Sequence, residues 1–297
     1  MESPVNDDLK RRVIAYYNQE ATEYISQYRT PRLDQDFYPA NDVRLEIVLE
    51  RLRANACRTV LDIGCGSGGP LLRMLAEGFD VRGVDFAPAM VECARQALVE
   101  SGHDSRRVTT GDLENPATLP PERFDAIVAT GVFPHNLDDA KAYAAVRGAL
   151  NETGVALIEY RNALMSLFSL NTYSYQFFAQ ELLDLSALSD DLAAVTEEFL
   201  ADRFAMPPLK RERGKTVQYD QILARFHNPL TLPREIEAHG FTLDATHFYH
   251  FHCAPPHLEQ AHSRAFREAS LAMEKPSDWR GYFLASAFVA ELRLRRP

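Results

Sequence analysis

Over residues 8–26 apolar side chains return at helical spacing, with Tyr16, Tyr17 and Tyr24 forming an aromatic stripe. A second helical pattern covers 42–54 through Val43, Leu45, Ile47, Val48, Leu49 and Leu52. The period then changes. Short apolar runs at 58–64, 80–85, 107–112, 124–131 and 154–160 read as five buried strands. Pro70–Glu77, Pro88–Glu100 and 138–150 read as helices between them, and Pro70 suits a first turn, where a missing N–H costs nothing. Strands alternating with helices at this pitch predict a parallel sheet covered on both faces.

Residues 161–230 break the rhythm with a mostly helical stretch that includes "SYQFFAQELLDL" and "DDLAAVTEEFLADRF". The alternation resumes at "TLPREIEAHGF", a helix with Thr231 as its N-cap, Pro233 in the first turn and Gly240 closing it. Two long strands follow at 241–252 and 282–294, with a helical excursion over 255–274 between them. The expected organisation is therefore an α/β sheet with a helical insert after its fifth strand. Its parts are N-terminal helices (1–55), a ligand-binding core (56–160), a cap or substrate insert (161–230) and the returning strands of the sheet (231–297).

Composition narrows the partners. A net charge of -10 on 297 residues argues against nucleic acid, and no apolar run is long enough to span a bilayer. The start, "MESPVNDDLKRR", is acidic and polar with no apolar signal core, so a cytoplasmic location is expected. Cys57, Cys65, Cys93 and Cys253 show no CxxC spacing and suit reduced thiols rather than a zinc site.

The chemistry concentrates in "VLDIGCGSGGP" (60–70). Gly64, Gly66, Gly68 and Gly69 join a strand to a helix whose free N–H groups can receive an anion. Gly64, Gly66 and Gly69 also satisfy the dinucleotide pattern GxGxxG. Asp62 discriminates: an acid two residues before the first glycine is poorly placed for a pyrophosphate. It suits a cationic amino group beside a carboxylate, as in the methionine end of S-adenosylmethionine. Asp85 ends the second strand, where a carboxylate can accept both hydroxyls of a ribose. Phe86 and Met90 read either as ribose and adenine contacts or as ordinary core. Asp112, in "TTGDLEN", reads as an acceptor for an adenine amino group or as a plain turn aspartate.

These residues carry a resemblance. The run "VLDIGCGSGGP", then "VRGVDFAPAM", "GDLE" and "FDAIVATGVFPHNLDD" resembles the motif series of class I S-adenosylmethionine-dependent methyltransferases, over about residues 58–160 with a weaker echo in the last strands. The resemblance implies a Rossmann-like sheet of seven mostly parallel strands whose last strand is antiparallel. It implies S-adenosyl-L-methionine as cofactor, with Asp62, Gly64, Cys65 and Gly66 at its methionine end. Asp85 would take the ribose, Asp112 and Leu113 the adenine, and Thr130 would join the cofactor residues. "YYNQEATEY" (16–24) is similar to the helix that closes over the cofactor in many small-molecule members, which puts Tyr17 and Tyr24 at the site; both also read as helix-packing aromatics.

His135, beyond the fourth strand, is the first candidate for a catalytic base, with Tyr17 and Arg161 beside it. Glu159, Tyr160, Arg161 and Asn162 are expected to face the acceptor pocket; Arg161 either meets an acidic substrate group or bridges the insert to the sheet. Phe168, Tyr173, Tyr175, Phe177 and Phe178 read as an acceptor lining or as the insert's own core. His247, His250, His252 and His257 form a cluster in which His250 and His252 would share a strand face, yet no third ligand is evident and no metal is expected. The position after the fourth strand lacks the Asn/Asp-Pro-Pro-aromatic signature of members that methylate base or glutamine amides. It also lacks the aspartate of metal-dependent catechol-type members. The expected reaction is methylation of a small metabolite at oxygen or nitrogen. The alternatives are metal-assisted methylation at carbon of an activated acid, and a non-catalytic cofactor-binding scaffold. The expected partners are the small-molecule acceptor and, as an open option, a second copy of the chain.

Overall fold

The computed structural model describes residues 4–27, 38–207 and 223–295; in its first helix the described side chains are those of residues 8–19 and 21. Helices α1 (Pro4–Gln27) and α2 (Ala40–Ala54) precede the sheet. Strand β1 (Thr59–Ile63) leads through the glycines into α3 (Gly69–Ala76), and β2 (Asp80–Asp85) into α4 (Pro88–Glu100). Then come β3 (Val108–Thr110), β4 (Phe124–Ala129), α5 (Asp139–Ala149) and β5 (Leu150–Asn162). The insert carries α6 (Ser166–Ser169), α7 (Thr172–Phe177) and α8 (Asp190–Arg203), and returns through β6 (Phe226–His227). The last elements are α9 (Leu232–Ala238), β7 (Phe241–Phe251), α10 (Ser263–Leu271), α11 (Gly281–Leu284) and β8 (Ala285–Leu294).

The strands lie in the order β3-β2-β1-β4-β5-β8-β7, with β6 beside the end of β5. Strands β1 to β5 pair in parallel, and β8 is antiparallel to both β5 and β7. Strand β8 therefore runs against the rest, as expected. The eighth strand, β6, is two residues long and too short to show a period in sequence.

Both faces of the central strands are buried because helices cover each side, which is why β1 and β4 read as continuous apolar runs. One core layer joins Ile127, Ile158 and Phe288 to Tyr143 and Val146 of α5 and Ile236 of α9. The other joins Val60, Val81 and Val289 to Leu49 and Leu52 of α2 and Met74 of α3. A small third cluster seats α1 on α4: Ala21 and Tyr17 pack on Ala87, Phe86 and Met90.

Three local expectations change. Thr231 does not cap α9 with its side chain; its hydroxyl donates to Glu235 Oε1 at 2.6 Å, and the first turn hangs on the Asn228 carbonyl. Strand β3 stops at Thr110, so Asp112 lies in a tight turn bridged to Asn115. Strand β7 does not alternate through its end, because His250 adopts φ +60. That left-handed residue shifts the phase, so Tyr249 joins one core layer and Phe251 the other. Among the described residues no helix is long and apolar enough to cross a membrane.

Candidate functional site

The strand order reverses between β1 and β4, and in open α/β sheets ligands bind at the carboxyl ends of strands at such a point. A cleft enclosing about 790 Å³, its open mouth included, lies there. Its floor is the glycine loop. Gly64 has φ +73, and a Cβ on it would stand 2.3 Å from Val132 Cγ2 in the loop after β4. Gly68 has φ +88 at the start of α3, where a Cβ would press on Ala94 of α4 at 3.1 Å. The loop curls back on β2: Gly64 and Cys65 N–H donate to the Val84 carbonyl at 2.7 and 3.1 Å, and Gly66 N–H to Asp85 Oδ2 at 2.9 Å. These three N–H groups thus bind the protein itself, and an incoming anion is left with those of the first turn of α3.

Two buried acids flank the loop. Asp62 is 2% exposed, and its Oδ2 has no hydrogen-bond partner among the described residues. Burial raises its carboxyl, Arg44 pulls it down and Asp85 pushes it up again, leaving it at about 7. Asp85 Oδ1 accepts from Ala87 N–H at 2.9 Å. Burial raises Asp85 to about 6, against the opposing hydrogen bonds from Ala87, Gly66 and Phe86. A buried carboxylate with an unpartnered oxygen is costly to keep ionised without a cationic partner.

Arg44, which carried no sequence expectation, reaches from α2 into the same region. Its Nη1 donates to Glu159 Oε2 at 2.6 Å, both side chains being buried, and lies 3.9 Å from where a Cβ on Gly131 would be. An arginine inside an apolar helix pattern is the only hint the sequence offers.

The far end of the cleft is polar. Lys10 of α1 forms ion pairs with Asp112 Oδ2 and, at 3.0 Å, with Glu114 Oε2. Burial lowers Lys10, but the hydrogen bonds and charges of the two acids outweigh it and raise it overall. Glu114 Oε1 also accepts from Leu137 and Asp138 N–H at 2.5 and 2.7 Å. Asn136 lines the cleft with its buried Nδ2 unpaired. Glu114 and Asn136 fall inside the quoted motifs without a role assigned to them, and Lys10 had no motif to reveal it.

At the mouth, Tyr17 Oη and His135 Nε2 are 2.8 Å apart, and His135 Nδ1 lies 2.6 Å from the Leu223 carbonyl. Burial lowers His135 to about 4; the Leu223 hydrogen bond and Glu159 oppose this, and Arg161 adds to it. At neutral pH the imidazole is uncharged.

Of the sequence candidates, Tyr17, Gly64, Gly66, Asp85, Phe86, Met90, Asp112, Leu113, Thr130 and His135 all line this cleft. Asp62 and Cys65 lie behind it; the Cys65 thiol is buried and raised well above its ordinary range by that burial. Tyr24 falls on α1 with its side chain outside the described residues. The group Glu159–Asn162, which forms the end of β5 itself, is dispersed, contrary to expectation. Glu159 pairs with Arg44, the Tyr160 hydroxyl meets that of Tyr143 at 2.6 Å in the core, and Asn162 donates to backbone carbonyls of Gly281, Tyr282 and Ala285. Arg161 does not line the cleft; its guanidinium sits 5.8 Å over the Phe226 ring, bridging β5 to the returning insert. Strand alternation sends neighbours to opposite faces, so four consecutive residues do not share one pocket.

The insert's aromatics also pack at home. Phe177 is buried against Ala163 and Leu164, Phe178 stacks on Phe204 at 5.7 Å, and Tyr173 meets Phe226 at 5.6 Å. The His250 and His252 rings are 4.7 Å apart, but His250 stacks on Tyr38 and bonds Ser286, while His247 meets Glu291. Among the described residues no group of three or more His, Cys, Asp or Glu could hold a metal ion.

Residues 60–154 match the methyltransferase domain family. This segment is a methyltransferase domain. A ubiquinone biosynthesis O-methyltransferase of Xanthomonas euvesicatoria pv. vesicatoria (strain 85-10) is 32% identical over 144 residues, covering 48% of this chain and 59% of that protein. A glycine/sarcosine N-methyltransferase of Parasynechococcus marenigrum (strain WH8102) is 28% identical over 152 residues, covering 47% and 51%. The likeness thus spans little more than half of these relatives. The magnesium protoporphyrin IX methyltransferase of Synechocystis PCC 6803 superimposes with a TM-score of 0.54 over 96% of this chain and 100% of its own, at 13% identity. The fold therefore extends beyond the matched segment, and the methyltransferase domain carries its cleft where β1, β2 and β4 end.

Proposed function

We propose that this protein is an S-adenosylmethionine-dependent methyltransferase that places a methyl group on an oxygen or nitrogen of a small-molecule acceptor. The observation that carries this reading is the buried Asp62 carboxylate, one oxygen unpaired, behind the glycine loop of the methyltransferase domain. Asp62 would take the amino group of the cofactor's methionine end, and the first turn of α3 its carboxylate. Asp85 accepts from backbone N–H groups on both oxygens and keeps lone-pair capacity for a ribose hydroxyl. Phe86, Met90 and Leu113 would pack on the adenosine, Asp112 would accept from the adenine amino group beside Lys10, and Asn136 Nδ2 would supply a donor. Gly64, Gly66 and Thr130 leave room for close approach.

When bound, the cofactor supplies an electrophilic methyl on a sulfonium. The chain's own residues orient the acceptor and exclude water, with α1 seated across the cleft. They also take up the proton that an attacking hydroxyl must lose; a neutral amine attacks through its lone pair and its product releases the extra proton later to solvent. His135 is the base in this reading, taking the proton through Tyr17, whose hydroxyl passes its own proton to Nε2 as it accepts the acceptor's. Its low pKa does not disqualify it, because an oxygen that has just gained a methyl is a far stronger acid than an imidazolium. Closure by α1, the charge of -10, and relatives named for O- and N-methylation support a small acceptor over nucleic acid.

Calorimetry with S-adenosylhomocysteine and with NADH tests the site: heat with the first alone is expected. Methyl-labelled S-adenosylmethionine, incubated with panels of phenols and of small amines, tests the reaction. Absence of binding by both forms of the cofactor would end this reading.

A further inference from the structure

The return of the insert is bolted to the loop after β4. Arg225 N–H donates to the Pro134 carbonyl at 2.8 Å. Its guanidinium forks on Asp139, with Nη1 to Oδ1 at 2.8 Å and Nη2 to Oδ2 at 2.6 Å, and Nη1 also reaches the Asn136 carbonyl at 3.4 Å. Immediately afterwards Phe226 and His227 pair in parallel with Arg161 and Asn162 of β5. The chain is thus fixed at Arg225 and over 226–227, and the Leu223 carbonyl lies two residues before this clamp, 2.6 Å from His135 Nδ1.

A carbonyl only accepts. Nδ1 of His135 must therefore carry the hydrogen, and the uncharged ring presents a bare Nε2 to the cleft side, where Tyr17 Oη donates to it. Proton uptake by an imidazole needs this tautomer; the other would turn an N–H toward Tyr17 and the acceptor. We propose that Arg225 is a positioning residue: by clamping the insert's return on Asp139, it holds the Leu223 carbonyl against His135 and fixes the Nδ1–H tautomer. The catalytic consequence rests on the reading of His135 as base, while the tautomer itself does not. Among the described residues, the other charged or titratable groups acting on His135 include Tyr17 from α1, and Glu159 and Arg161 from β5, and the contact at Nδ1 is the Leu223 carbonyl.

The test is nitrogen NMR of the full chain with labelled histidine, His135 being assigned among the nine histidines by its loss in His135→Ala. The native protein is expected to show a protonated Nδ1 and a bare Nε2. In Arg225→Met the ratio of the Nδ1–H to the Nε2–H form should fall about three- to tenfold, the change expected on weakening one hydrogen bond. Arg225→Lys, with one donor in place of a fork, should fall between. Affinity for S-adenosylhomocysteine should stay within about twofold, since Arg225 does not line the cofactor cleft. Should Arg225→Met fail to fold, Asp139→Asn opens the same clamp from its other side and is read the same way. A native His135 tautomer in either folded variant overturns the proposal and leaves the base role standing. Undiminished methyl transfer by His135→Ala would instead remove the base role and leave the tautomer assignment intact.

Discussion

Asp62 combines near-complete burial with an unpaired oxygen, and its carboxyl is pushed up to about 7, chiefly by that burial. In the unliganded protein near neutral pH it carries a proton for much of the time, and a cationic ligand must displace it. Asp62→Asn should weaken S-adenosylhomocysteine binding by about 1.5–3 kcal/mol, the range for hydrogen bonds to charged groups. Affinity in the native protein should rise with pH through about 7, a dependence the variant loses; calorimetry at several pH values reads both. His135 has the opposite sign. Burial lowers it to about 4, so the uncharged form that can accept a proton predominates everywhere above that value. At saturating cofactor, turnover should be level from pH 8 to about 5 and fall toward and below pH 4. His135→Ala should lower turnover by about 10²–10⁴-fold, the usual contribution of a positioned base, with little change in cofactor affinity.

At the scale of elements, the glycine loop is two constraints in one. Gly64 needs its left-handed φ for the turn and its missing Cβ for the passage of Val132. Gly64→Ala meets both penalties, a strained backbone and a 2.3 Å overlap with Cγ2. It should destabilise the fold by about 1–3 kcal/mol in urea unfolding and widen the gap between the β1 and β4 loops. Helix α1 is held differently. Among the described residues its links include a small apolar patch around Ala21 and Tyr17, the Lys10 pairs with Asp112 and Glu114, the Tyr17–His135 bond and Asn18 Oδ1 accepting from Ala89 N–H at 3.1 Å. Partly exposed ion pairs such as those of Lys10 contribute little, roughly 0–1 kcal/mol. Lys10 had no place in the sequence reading because a lysine in an amphipathic helix is ordinarily a solvated residue. Only the turn at Asp112 brings acids to it.

For the whole molecule, two sets of buried carboxyls pull stability in opposite directions with pH. Despite its burial, Glu291 is lowered from 4.5 to about 2 by His247, Arg51 and Asn55. Folded, it stays ionised where the unfolded chain takes up a proton, so its stabilisation is complete above about 4.5 and is lost as pH falls toward 2. Asp62 and Asp85 are raised, so the folded state holds protons the unfolded chain has released. Their effect is to reduce stability as pH rises from 3.8 to about 7. Thermal melts of the unliganded protein should therefore show an optimum on the acid side of neutrality. Glu291→Gln should flatten the limb below about 4.5.

The sheet, its strand alternation and the glycine loop with Asp62 and Asp85 were determined by sequence alone, because apolar period and local turn chemistry are properties of neighbouring residues. The same holds for His135 beyond β4, which a strand end delivers to the crevice whatever surrounds it. Only the tertiary structure decided that Glu159 answers to Arg44 rather than to an acceptor, that Lys10 meets Asp112 and Glu114, and that Leu223 sets the His135 proton. These pairings join residues far apart in the chain. Which side chains meet across such distances depends on how helices cross the sheet and where the insert returns, and no periodicity along the chain encodes either.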